Sequence, residues 1–208
     1  MIIKKIKYTS LIIVKVYFLV FILYSIFEVI DYLSLSIDFS IIKSIGKREK
    51  PSEWNSIFWF GLRSLIIAPI IEELIFRKPL KFSKRNSIIL LLILLFSIIT
   101  LIIKPNLNFF FLGAYALIML SFYYFLKRKK KTLNYITLIF SSFVFGFFHL
   151  SNIELPGTNQ WYLIVYKIFP LIVLGFGLGF IRLKLNTFWS VIGHTLFNLI
   201  PFIFKYIL

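Results

Sequence analysis

Long apolar runs separated by short, mostly basic intervals dominate this chain. They fall near 8–30, 54–77, 86–103, 107–126, 134–150, 161–181 and 187–207. Each reaches or approaches the roughly 20 residues that a helix needs to cross the hydrocarbon of a bilayer. None shows the two-residue alternation of a barrel strand. Backbone in lipid must satisfy its own hydrogen bonds, which favours helices. The pattern predicts an all-α fold, a polytopic membrane helical bundle with about seven transmembrane helices. The longest polar interval, 31–53, has an apolar centre from Leu33 to Ile42 that predicts an interfacial helix. With no repeat and no low-complexity tail, the organisation reads as an N-terminal span and loop over 1–53 and a core over 54–208.

Composition agrees with this pattern. Of 208 residues, 60% are hydrophobic and 15% charged, against about 25% charged in soluble domains. The net charge of +16 could suggest nucleic acid as a partner. The basic residues, however, sit as short flanks between apolar runs, where topology signals lie. Lys127 to Lys131 form the densest group and could also hold anionic headgroups. The expected partner is therefore the lipid bilayer, with no nucleic acid. Lys4, Lys5, Lys7, Lys78, Lys81, Lys84, Arg85, the 127–131 cluster, Arg182 and Lys184 all fall on one side if the spans alternate. Fewer basic residues fall on the other. The positive-inside rule then predicts a cytoplasmic N-terminus in a multi-pass plasma-membrane protein. Lys4, Lys5 and Lys7 precede the first apolar run without a small-residue cleavage site, so that run reads as an uncleaved span. The absence of cysteine excludes disulfides and thiol chemistry.

Ionisable groups within apolar segments are costly and point to function. Glu72 and Glu73 lie in Ile70-Ile71-Glu72-Glu73-Leu74-Ile75-Phe76-Arg77. Adjacent residues differ by about 100° around a helix, so the two acids have different tasks. Glu73 and Arg77 are spaced i,i+4 with the acid first, as a supporting ion pair requires. Glu72 has no such partner and is suited to act as a general base. The two histidines of the chain, His149 and His194, lie in other spans. Phe145 shares a helix face with His149, and His194 shares one with Asn198, whose amide could stabilise an oxyanion. Singly, a buried histidine or asparagine is more often a link between helices, and a Glu–Arg pair is usually structural. Their joint occurrence on three spans of so apolar a chain points to a site.

In order, Glu72-Glu73-x-x-x-Arg77, Phe145-x-x-x-His149 and His194-x-x-x-Asn198 resemble the three motifs of the CPBP family of intramembrane proteases. That family includes type II CAAX prenyl endopeptidases and bacteriocin-processing proteins. The resemblance covers about residues 54–200, and Gly175 to Gly179 followed by Asn186 to Ser190 resembles the lead-in to its third motif. It implies an intramembrane endopeptidase acting on a membrane-associated peptide or protein. Glu72 and His149 would activate water, His194 and Asn198 would complete the site, and Glu73 and Arg77 would support it. It also implies a possible zinc or other divalent metal on Glu72, His149 and His194; a metal-free glutamate–histidine mechanism uses the same residues. The chain departs from the family in carrying Lys78 where glycine commonly follows the motif arginine. It also has two extra apolar runs, 86–103 and 107–126, between the first two motifs.

Straight spans would place Glu72 and His149 roughly 20 Å apart in depth, at about 1.5 Å per residue. A helix restarting at Pro69, with 54–68 separate, or a different path over 54–85, would bring them together. Other intramembrane protease signatures are absent: there is no His-Glu-x-x-His, no Gly-x-Ser-Gly and no pair of Gly-x-Gly-Asp motifs. Two rival readings are a non-catalytic immunity or assembly protein and a small proton-coupled transporter. Against the second, the repeat symmetry common in transporters is missing. Gly175, Gly177 and Gly179 predict close helix packing.

Overall fold

The computed structural model describes residues 2–34, 54–81, 83–104, 107–126, 130–149 and 161–206. Among these there is no strand, and the fold is all-α. The long helices are α1 (Ile2–Ser34), α3 (Lys84–Ile103), α4 (Leu107–Leu126), α5 (Lys130–Phe148), α6 (Trp161–Lys184) and α7 (Thr187–Tyr206). Between α1 and α3 lies a composite helix, α2, over 54–77. It runs as α-helix over Trp54–Leu62 and Ala68–Glu72, and as π-helical turns over Arg63–Ile67 and Glu73–Arg77. A 3-10 turn, Lys78–Leu80, ends it.

Each of the seven apolar runs corresponds to one of these helices, with α1 continuing past its expected end to Ser34. The interfacial helix expected up to Ile42 falls, beyond Ser34, outside the described residues, as does much of the Lys127–Lys131 cluster. By length and composition alone, one helix among the described residues, Lys84–Ile103, could cross a membrane. The apolar stretches Phe109–Phe125, Leu133–Phe148 and Thr187–Ile203 are shorter.

The core is built on Phe76, Tyr115, Met119, Phe145, Leu174 and Leu178. The glycines of α6 act as sequence spacing predicts. A Cβ on Gly175 would come within 3.0 Å of the Ser142 backbone on α5, and one on Gly179 within 2.2 Å of Leu138. Gly177, on the opposite face, would strike Val16 of α1 at 2.5 Å. α6 is thus pressed between α5 and α1. The outer faces expose large apolar side chains, among them Leu92 and Ile102 of α3, Phe125 of α4 and Phe188 of α7.

The two π turns have a covalent cause. Pro69 and Pro79 each stand two residues beyond a π turn. Proline has no N–H, so it cannot bond the carbonyl four residues earlier. The freed carbonyls are Leu65 and Ile75. Ala68 N–H bonds Arg63 O, a five-residue step, which also deprives Ser64 O of its α-helical donor. Side chains of other helices fill the openings. Thr195 Oγ1 donates to Leu65 O at 2.8 Å and Asn198 Nδ2 to Ser64 O at 3.0 Å. Tyr115 Oη lies 3.4 Å from Ile75 O and 3.3 Å from Phe76 O, and Ser141 Oγ donates to Phe76 O at 2.6 Å. At the end of α2, Arg182 donates to Arg77 O and Lys78 O, and Asn86 also donates to Lys78 O at 2.9 Å.

Candidate active site

Three of the four residues singled out for chemistry, Glu72, His149 and His194, meet. Glu72 Oε2 stands 3.7 Å from His149 Nε2 and 3.7 Å from His194 Nε2. That is too long for a direct hydrogen bond, and this buried oxygen has no hydrogen-bond partner. The Glu72 and His149 side chains keep 21% and 19% of their surface exposed, while His194 and the Glu72 Oε2 atom are buried.

Of the two expected resolutions of the depth mismatch between Glu72 and His149, the structure shows the second, a different path within 54–85. Pro69 does not start a new helix. Leu62, Ile67 and Ala68 all hold right-handed helical dihedrals, so α2 runs on through Pro69. The error lay at the other end. The chain does not reach the bundle surface at Arg77; it continues through a turn in which Pro79 and Leu80 are buried. Leu80 lies level with Thr137, whose Oγ1 is 3.5 Å from Leu80 O. Thr137 is seven residues into α5, so Glu72 sits deeper by roughly 10 Å than the straight-span estimate. Side-chain direction closes the rest. Helical Cα–Cβ bonds tilt towards the helix N-terminus, and α2 and α5 are antiparallel. Glu72 therefore reaches towards the His149 end, while His149 folds back over its own preceding turn. There its Nδ1 bonds Phe145 O at 2.8 Å, with ring centroids 4.7 Å apart.

These contacts fix both imidazoles. A carbonyl only accepts, so His149 carries hydrogen on Nδ1 and turns Nε2 to Glu72. His194 does the same, with Nδ1 3.1 Å from Glu73 Oε1. Glu73 is fully buried and shared three ways: by His194, by Ser190 Oγ, and by Arg77 Nε at 3.9 Å. Ser190 Oγ also lies 2.9 Å from Leu178 O. The expected Glu73–Arg77 pair is therefore present, but the closer contacts of Glu73 are with the histidine and the serine. Arg77, also fully buried, lies 4.3 Å above the Phe145 ring, a cation–π contact. Its Nη atoms have no hydrogen-bond partner. Phe145 thus packs against Arg77, His149 and His194 together. Asn198 lies one turn beyond His194, with its amide on Ser64 O.

Sequence reading missed the roles of Ser190, Tyr115, Ser141 and Arg182. Ser190 had a visible signal, since it is four residues before His194 and shares its face. The other three cap carbonyls, and nothing in their local sequence marks that.

The sequence model of the Rce1-like type II CAAX prenyl endopeptidase family matches residues 54–200. The chain belongs to that family. This is the resemblance that the three motifs carry, and it makes the chain a member of a family of endopeptidases. No curated protein and no solved structure matches the chain. The Rce1-like segment begins at the first residue of α2 and contains every residue of the cluster, while α1 lies outside it. Two imidazoles and a carboxylate are the donor types of a zinc site. Among the described residues no group of three or more His, Asp or Glu is drawn together tightly enough to mark a metal site, although 3.7 Å from Glu72 Oε2 to each Nε2 is close to the spacing of donors about a tetrahedral zinc.

Proposed function

We propose that the protein is an intramembrane endopeptidase that hydrolyses a peptide bond in a membrane-associated peptide or protein. The carrying observation is the Glu72 carboxylate oxygen, without a partner, between two imidazole nitrogens at 3.7 Å. That spacing suits a water held by hydrogen bonds rather than direct contact. Glu72 takes one proton from this water as the water oxygen attacks the scissile carbonyl, while the other hydrogen stays on that oxygen and is hydrogen-bonded to His149 Nε2. The proton on Glu72 then passes to the leaving amine, as a general base that becomes a general acid does. His194 and Asn198 form the opposite wall. Asn198 Nδ2 uses one hydrogen on Ser64 O and offers its second to the developing oxyanion. Glu73 and Arg77 hold His194 in place.

The membrane setting is supported by the exposed apolar faces of α3, α4 and α7, which are larger than a soluble monomer leaves to water. An apolar groove of about 350 Å³, lined by Ile57, Gly61, Leu65, Ile66 and Phe202, runs between α2 and α7. It would take an apolar part of such a substrate. With the basic end of the bundle inside, the N-terminus is cytoplasmic.

The test is proteolysis by purified protein in proteoliposomes, first of a prenylated CAAX peptide and then of a peptide library. Glu72→Gln and His149→Ala should each lower kcat by about 10²- to 10⁴-fold. Full activity in either variant overturns the assignment. Dialysis against a chelator should leave the rate unchanged; a loss reversed by zinc would replace this mechanism with a metal-dependent one.

A further inference from the structure

α7 carries a proline of its own, Pro201, inside the helix. Its missing N–H frees the carbonyl four residues earlier, that of Phe197. Phe197 directly precedes Asn198 and is three residues from His194. The freed oxygen is filled from the far end of the chain: Tyr17 Oη of α1 donates to Phe197 O. The Tyr17 and Phe197 rings also stack, with centroids 4.5 Å apart and planes 19° from parallel. The same face of α1 continues into the bundle. Ile13, Val16 and Val20 are buried beside Tyr17, and Ile13 Cδ1 would lie 3.4 Å from a Cβ on Gly193, next to His194.

We infer that α1, which lies outside the family-matched segment, is part of the catalytic unit, with Tyr17 as a positioning residue for His194 and Asn198. This rests on the endopeptidase reading above. Three contacts hold this stretch of α7 along its length: Thr195 and Asn198 on α2, and Phe197 on α1. Two pull towards α2 and one towards α1. Removing the α1 contact leaves a carbonyl without a donor in an apolar setting, beside the turn that aims the two site residues.

The test is a double-mutant cycle. Tyr17→Phe keeps the stacked ring and removes the hydroxyl. It should lower kcat roughly three- to tenfold, the worth of one hydrogen bond, with KM unchanged. Pro201→Ala returns a backbone N–H to Phe197 O. In the Tyr17→Phe background it should restore kcat, which a loss of general packing would not allow. A second measurement needs no catalysis. Phe197-Asn198 is the one Phe-Asn step in the chain, so paired carbonyl-¹³C phenylalanine and ¹⁵N asparagine label it uniquely for NMR. The Phe197 carbonyl resonance should move upfield in Tyr17→Phe and return in the double variant. An unmoved resonance, a kcat within about twofold of wild type, or no recovery in the double variant overturns the inference. A wild-type protein that cleaves nothing would overturn the endopeptidase reading instead, while the resonance still decides the Tyr17 contact.

Discussion

Glu72 and Glu73 are neighbours in the chain and opposites in the structure. Glu73 is fully buried and engaged by His194, Ser190 and Arg77. Glu72 keeps a fifth of its side-chain surface open and its Oε2 has no partner. About 100° of helix separates a carboxylate that holds other groups from one that is itself left unheld. Under the endopeptidase proposal, arrangement and chemistry fall to two different residues, and the cost of burying charge falls on Glu73. The proposal uses that division: the carboxylate it assigns to the water is not also tied up in an ion pair.

Substitutions should separate the two sides. Glu72→Ala is expected to remove about 10²- to 10⁴-fold of kcat and to leave the unfolding midpoint in detergent close to wild type. An equal loss of stability would mean that Glu72 is structural after all. Glu73→Ala should do both kinds of damage. It strands the buried Arg77 charge, a cost of about 3–5 kcal/mol, and releases His194, so activity and unfolding midpoint should fall together. Ser190→Ala leaves Glu73 Oε2 short of a donor and should cost about 1–2 kcal/mol, with a modest fall in kcat and no change in KM. Thr195→Val acts furthest from the carboxylates. It leaves Leu65 O unfilled, for about 1 kcal/mol of stability, and removes one of the three contacts along α7, so turnover should fall slightly, less than in Ser190→Ala. If Thr195→Val slowed turnover more than Ser190→Ala, the first π turn, rather than Glu73, would be what positions the site.

Much of this was legible in the sequence because polar groups are so scarce in it. Against apolar helices, Glu72, Glu73, His149, His194 and Asn198 stand out, and helical spacing pairs Glu73 with Arg77 correctly. The seven runs map onto seven helices for the same reason. What could not be read was geometry set by long-range contacts. Lys78 to Leu80 look like the start of a surface loop, yet Leu80 is buried between α5 and α6. Only the tertiary fold shows that, and the depth of Glu72 depends on it. The π turns likewise have no compositional signature; their clue is the ten-residue spacing of Pro69 and Pro79. Asn198 was expected to face the oxyanion, but its amide is first required by Ser64 O, a carbonyl that local pattern does not reveal as unfilled. Tyr17 pairs with a residue 180 positions away, beyond the reach of any motif.

The proline-opened carbonyls also limit how the bundle can move. Sliding α7 along α2 by one residue, roughly 1.5 Å, would unseat Thr195 and Asn198 at once. Both bonds would be lost together, at about 1 kcal/mol each. α7 is therefore bolted rather than sprung: piston-like sliding of this helix is opposed at two points at once.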